Sequence, residues 1–116
     1  MAQERDVKAR PGGPAASSDE EEIEKWRRRI DVIDGQLMSL LNSRSACAVE
    51  VGRIKRRLGL PVYSPEREAW ILERVMRENP GPLDPTAVRR VFERIIDESR
   101  RLERLAVDQE KNEPKE

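Results

Sequence analysis

Five polar side chains interrupt the apolar faces of three predicted helices, and their types suit the binding of a small anion. They are Arg44, Lys55, Glu68, Ser99 and Glu103. At about 100° per residue, Arg44 falls in line with Leu37 and Leu40, and Lys55 falls about 20° away. Arginine binds a planar carboxylate through two hydrogen bonds, whereas lysine offers a point contact to one oxygen. Because an unpaired buried charge costs several kcal/mol, these groups must meet each other or a ligand.

Small residues surround the two cations of the first helix. They are Ala46, Cys47, Ala48 and Gly52. Such residues leave room, so the pattern predicts a pocket with cationic walls for an oxygen-rich anion. A purely structural network, in which Arg44 or Lys55 pairs with Glu68 or Glu103, is the alternative interpretation.

Composition excludes several function classes. Among 116 residues there is no histidine and one cysteine, Cys47, so a histidine base, an intrachain disulfide and a zinc-finger ligand set are all excluded. Lys and Arg number 23, as do Asp and Glu, which argues against a strongly basic nucleic-acid binder. No apolar run is long enough to cross a bilayer, and the N-terminus lacks the apolar stretch of a secretory signal. We therefore expect a cytoplasmic protein without metal or cofactor, and with neither nucleic-acid nor membrane partners.

Apolar residues spaced three and four apart predict an all-α fold of three helices. They run from Asp19 to Arg57, from Pro65 to Glu78 and from Pro85 to Leu105. Ser18 is the predicted cap of the first helix and Gly59 its C-terminal stop. The predicted organisation is a disordered tail over 1–18, a helical domain over 19–107 and a flexible tail over 108–116.

The length of the first helix predicts an oligomer. At 1.5 Å per residue it is roughly 55–60 Å long, whereas a compact domain of this size is roughly 25–30 Å across. Two chains that pair their long helices would bury both apolar stripes, and a symmetric pair is the commonest oligomer. We therefore predict an entwined homodimer of three-helix protomers, with a three-helix monomer as the alternative.

Three segments resemble the all-helical class of chorismate mutases. They are RRRIDVIDGQLMSLLNSR, AVEVGRIKRRLGLPVYSPERE and NPGPLDPTAVRRVFERIIDESRRLE, and the similarity extends from about Glu22 to Leu105. The resemblance implies a homodimer with two pockets, each built from both chains. It also implies rearrangement of chorismate to prephenate by a Claisen shift, which needs no covalent intermediate, proton transfer or cofactor. The reaction needs a compact substrate conformer and fixed charge beside the breaking ether bond.

The resemblance implies eight substrate-binding residues, and three of them are catalytic. The eight are Arg27, Arg44, Lys55, Ser64, Arg67, Glu68, Ser99 and Glu103. Lys55, Glu103 and Arg44 match the catalytic positions. Lys55 matches the lysine that contacts a carboxylate and the ether oxygen, and Arg44 matches the arginine that holds a carboxylate.

The other matches imply further contacts with the substrate. Arg27 matches an arginine that reaches the pocket of the other protomer. Arg67 and Glu68 match an Arg-Glu pair whose glutamate binds the ring hydroxyl. Ser99 matches a serine near the ring carboxylate.

Two positions depart from the commonest pattern of the family. Ser64 stands where many members have aspartate, which leaves backbone groups to contribute to hydroxyl binding. Glu103 stands where members have glutamine or glutamate. A glutamate donates to the ether oxygen only when it is protonated; burial favours that neutral form, and the adjacent Lys55 favours the charged form. The hypothesis is that Glu103 acts as a neutral donor.

Two other functions fit the same residues. The related isochorismate pyruvate-lyase uses a similar pocket to eliminate pyruvate, although GLPVYSPERE and Glu103 favour the mutase. The second is a regulatory helical dimer that senses an aromatic-pathway metabolite without catalysis, or that has low activity until a partner enzyme docks. A plain helical dimer whose buried charges are purely structural is a further alternative. Members of the family occur fused to or associated with other enzymes of aromatic amino-acid biosynthesis, so such an enzyme is a predicted partner.

Overall fold

The computed structural model describes the backbone of residues 14–112 and the side chains of residues 18–109. It contains three helices: α1, Pro14–Leu58, α2, Pro65–Glu78, and α3, Pro85–Asn112. Residues 14–112 contain no strand. The predicted all-α fold with a long first helix is therefore confirmed.

Two helices are longer than the apolar pattern predicts. Helix α1 begins at Pro14 and so includes Ser18, its predicted cap, while α3 continues beyond Leu105 to Asn112. The added turn of α1 contains two alanines, and the added turns of α3 combine the buried Ala106 with Gln, Glu and Lys, residue types that favour helix. Residues 1–13 and 113–116 lie outside the described residues, so the two predicted tails stay predictions.

Local capping explains where the helices end and begin. After α1, the amide of Leu60 donates to the Lys55 carbonyl at 2.8 Å, and the amide of Gly59 donates to the Arg56 carbonyl at 3.2 Å. Gly59 has φ of 69°, the left-handed conformation that this C-terminal motif requires. At the start of α3, a carboxylate oxygen of Asp84 accepts the amide of Ala87 at 2.8 Å, which is an N-terminal cap.

The chain divides into two compact units, 1–41 and 42–116. The second unit contains the end of α1 together with α2 and α3, and its buried apolar residues are Ala48, Ile96 and Ala106. Gly52 lies against α3: a Cβ at this position would be 2.8 Å from the Glu103 carbonyl oxygen. Glycine therefore permits this close approach of the two helices.

The described part of the first unit is a stretch of α1 whose large apolar side chains are uncovered. Trp26 is 51% exposed, Ile30 54% and Leu37 49%, and the stripe continues as Ile23, Ile33 and Leu41. A helix with such a stripe ordinarily buries it against another helix. No helix in the described part of the chain is long and apolar enough to cross a membrane.

Candidate functional site

Within residues 42–116, side chains from the three helices and from the loop before α2 line a pocket of about 410 Å³ that is open to solvent. It is called the three-helix pocket here. Seven of the eight predicted site residues line it: Arg44, Lys55, Ser64, Arg67, Glu68, Ser99 and Glu103. The small residues Cys47 and Ala48 line it as well. The pattern of small residues beside cations thus corresponds to a real cavity.

Lys55 and Glu103 form one cross-helix ion pair of the pocket. The Lys55 ammonium lies 3.1 Å from a Glu103 carboxylate oxygen, and the two side chains are 19% and 15% exposed. The same ammonium donates to the Val62 carbonyl at 2.7 Å. This pair is one of those that the structural interpretation of the sequence anticipated. It also ties the last turns of α1 to α3 and to the loop before α2.

Arg44 and Ser99 form a second contact between α1 and α3. A terminal nitrogen of the Arg44 guanidinium donates to the Ser99 hydroxyl, and both residues are half-buried. The hydroxyl uses one acceptor site for this bond and keeps its own hydrogen for another partner. Together the two residues present an N–H and an O–H donor side by side, an arrangement that suits a carboxylate ligand.

Glu68 is held by a residue that the sequence analysis missed. Arg100 donates from Nε and from Nη2 to the two carboxylate oxygens of Glu68, at 3.0 and 2.8 Å. This hydrogen bonding raises the pKa of Arg100, against an opposing effect of burial. Glu68 itself could have indicated this partner, because a half-buried carboxylate needs a hydrogen-bond donor. The side chain of an arginine on α3 is long enough to supply one.

Arg67 and Ser64 lie at the rim of the three-helix pocket. The Arg67 guanidinium stacks on the Trp70 ring at 4.8 Å, and Arg74 lies on the same ring at 5.4 Å. Ser64 occupies the N-cap position of α2, but its side chain makes no capping hydrogen bond. Its hydroxyl is therefore not used in a capping hydrogen bond to α2.

Arg27 is the predicted site residue that the three-helix pocket does not include. It lies in the first unit, 68% exposed, and pairs with Glu24 of the same helix at 2.8 Å. The implied reach of Arg27 into the pocket of another protomer stays a prediction.

The charges of the pocket favour a doubly negative ligand. Arg44, Lys55, Arg67 and Arg100 supply four cations, and Glu68 and Glu103 supply two carboxylates, which leaves an excess of two positive charges. Residues 18–109 contain no cluster of three or more His, Cys, Asp or Glu side chains that could hold a metal ion. The wall can therefore bind two anionic groups, while its carboxylates accept from a hydroxyl or, when protonated, donate to an ether oxygen.

Comparison with known proteins gives one consistent family. The family model described as chorismate mutase type II matches residues 26–104. A bifunctional chorismate mutase/prephenate dehydratase from Pseudomonas aeruginosa is 42% identical over 91 residues, which cover 74% of this chain and 25% of that protein. The chain thus spans about a quarter of the length of the first curated relatives that it matches.

Solved structures agree with the family match. A chorismate mutase from Thermus thermophilus superposes with a TM-score of 0.71 and 35% identity, over 72% of this chain and 94% of that one. A chorismate mutase from Helicobacter pylori, crystallised in complex with prephenate, gives a TM-score of 0.70 and 27% identity, over 76% and 96% of the two chains.

Proposed function

The chain belongs to the type II chorismate mutase family, and we propose that it converts chorismate to prephenate in aromatic amino-acid biosynthesis. The observation that carries the proposal is the three-helix pocket, where seven residues implied by the family resemblance line one cavity. Its excess of positive charge, two with Glu103 ionised and three with Glu103 protonated, suits a dicarboxylate substrate. The Helicobacter pylori relative bound to prephenate supports the same product here.

The proposed mechanism is confinement followed by electrostatic stabilisation. Arg44 and Lys55 bind the carboxylates and hold the flexible dianion in the compact conformer from which the new carbon–carbon bond forms. Ser99, already hydrogen-bonded to Arg44, adds an O–H donor to the same carboxylate site. The side chains undergo no covalent change in this step.

The breaking ether bond lies, in this proposal, beside the Lys55–Glu103 pair. Lys55 supplies a fixed positive charge, and a protonated Glu103 donates a hydrogen bond as negative charge develops on the ether oxygen. The two side chains are 3.1 Å apart, which supports the proposal that both act on the same ether oxygen. Glu68 accepts from the ring hydroxyl, with Ser64 nearby and Arg67 at the rim.

The proposal includes a homodimer with shared sites. Half-exposed Trp26, Ile30 and Leu37 leave an apolar stripe on α1 that a second copy would cover. In such a dimer Arg27 would complete the pocket of the other protomer. The bifunctional relatives support an association with another enzyme of the aromatic pathway, and the cytoplasmic location expected from the sequence remains part of the proposal.

The test is the loss of chorismate absorbance with purified protein, followed by detection of prephenate. Arg44→Ala is expected to abolish most of the turnover, whereas Arg94→Ala, at a residue 76% exposed on α3, is the matched control. Release of pyruvate and salicylate from isochorismate, without turnover of chorismate, would favour the lyase instead. Turnover that appears only when another pathway enzyme is added would favour the partner-activated dimer.

A further inference from the structure

Arg100 is a cation of the three-helix pocket, and two of its three guanidinium nitrogens contact other side chains. Its Nε and Nη2 both donate to Glu68, and Nη2 also lies 3.5 Å from an Asp97 carboxylate oxygen. The Tyr63 ring lies 5.2 Å from the guanidinium carbon. The side chain is 26% exposed, so it is more enclosed than the arginines on the outer faces of the helices.

These contacts direct one edge of the Arg100 guanidinium to Glu68. The Nε–Nη2 edge is one of the two edges with which a guanidinium can bind a carboxylate in bidentate fashion, and in Arg100 it is occupied by Glu68. The aromatic ring over its carbon atom further restricts access to one face. The direct recipient of its hydrogen bonds is therefore Glu68, the group that accepts from the ring hydroxyl in the proposed function.

Glu68 needs such support because few side chains of its helix are buried against the rest of the protein. Helix α2 contains no fully buried residue, and Glu68 itself is 21% exposed. A glutamate side chain has three rotatable bonds, and free rotation would spread its carboxylate over many positions. Two hydrogen bonds from a planar fork restrict both the position and the plane of that carboxylate.

We propose that Arg100 is a positioning residue, which fixes the Glu68 carboxylate so that its free lone pairs face the ring hydroxyl of the bound substrate. The inference rests on the proposed function and adds to it a residue that acts through Glu68. Tyr63, in the loop between α1 and α2, limits the movement of the guanidinium.

The experiment is a double-mutant cycle on the purified 116-residue protein, with chorismate as the substrate. Arg100→Ala should raise KM about tenfold with little change in kcat, because a hydroxyl contact is made in both the ground state and the transition state. Arg100→Lys keeps the charge without the fork and should recover part of this loss. Arg101→Ala, at the neighbouring residue that is 60% exposed and pairs with Glu98, should stay within about twofold of the parent.

The decisive comparison uses a protein that lacks Glu68. In the Glu68→Ala background, adding Arg100→Ala should change kcat/KM by less than about twofold, because the group that it positions is gone. An equal loss with and without Glu68 would overturn the proposal, since Arg100 would then act on the substrate itself. A normal KM in Arg100→Ala would overturn it as well.

Two further measurements, circular dichroism and turnover by the parent protein, distinguish a loss of folding from a loss of function. If Arg100→Ala lacks the helical circular dichroism of the parent, Arg100→Lys carries the test, and a parental KM in a folded Arg100→Lys would overturn the proposal. A parent protein that leaves chorismate unchanged would overturn the proposed function together with this inference. A parent that turns over chorismate but shows no coupling between Arg100 and Glu68 overturns this inference alone.

Discussion

The Lys55 ammonium bridges two elements, since it lies 3.1 Å from a carboxylate oxygen of Glu103 on α3 and 2.7 Å from the Val62 carbonyl oxygen in the loop before α2. Both charged side chains are less than one-fifth exposed. The lysine is therefore preorganised at one spot in the wall, where its charge is less screened than at the surface. That position makes Lys55 the most informative single residue to remove.

Lys55→Ala should reduce kcat/KM for chorismate by about two to three orders of magnitude, since the charge acts on both a carboxylate and the ether oxygen. Steady-state kinetics of the purified variant checks this. Arg57→Ala removes an exposed cation two residues later on α1 and should keep parental kinetics. Retention of most of the turnover in Lys55→Ala would mean that the pocket assignment is wrong.

Glu103→Gln should change the pH dependence of turnover. A carboxyl group donates to an ether oxygen only while protonated, so under the neutral-donor hypothesis the turnover of the parent should decline as pH rises. A glutamine amide donates at every pH, so the profile of Glu103→Gln should be flat. The measurement is kcat across about pH 5 to 9. A variant that declines with pH just as the parent does would refute the neutral-donor role.

Gly52→Ala should destabilise the packing of α1 on α3. The added Cβ would meet the Glu103 carbonyl oxygen at 2.8 Å, and relieving the clash should cost about 1–3 kcal/mol of unfolding free energy. Gly35→Ala is the matched control, because a Cβ there meets nothing within 4 Å in the chain. That substitution should raise stability by about 0.5–1 kcal/mol through better helix propensity. Urea unfolding followed by circular dichroism measures both, and equal stabilities would contradict the close-approach argument.

Arg27→Ala and Arg44→Ala should complement each other if each site uses both chains. Each variant alone should be nearly inactive, because every site lacks one arginine. Co-refolding equal amounts should restore about a quarter of the parental activity, since half of the dimers are mixed and one of their two sites is intact. Sedimentation or light scattering confirms the dimer. No recovery in a mixture shown to contain mixed dimers would contradict shared sites, and a monomer would contradict the entwined assembly.

The three helices could be predicted because their apolar spacing agrees with the residues that mark most of their ends. Ser64-Pro65 and Asp84-Pro85 mark the starts of α2 and α3, and Gly59 marks the end of α1. The extra turns of α1 and α3 could not be predicted in this way. Beyond Ala106 they do not extend the apolar stripe, and they contain residue types that favour helix.

The pocket could be predicted because charges on an apolar face need partners. Helical rotation placed Arg44 and Lys55 on the apolar face of α1 and Glu103 on that of α3, and the Lys55–Glu103 pair is confirmed. Arg100 was not identified as a pocket residue because helical rotation places it about 100° from Ser99. A helical wheel does not account for the length of an arginine side chain. Pairing of Glu68 depends on the distance between α2 and α3, which no periodicity specifies.

Cys47, the only cysteine in the chain, lines the three-helix pocket and is exposed to solvent. Alkylation by a small thiol-selective electrophile would therefore modify the protein at a single position, inside the cavity in which the anion is proposed to bind. A ligand in the cavity would shield the thiol and slow its reaction. The rate of labelling would therefore measure ligand binding without any turnover. Oxidation of this thiol to a sulfinate would add negative charge to the wall on which the cations are proposed to bind the anion.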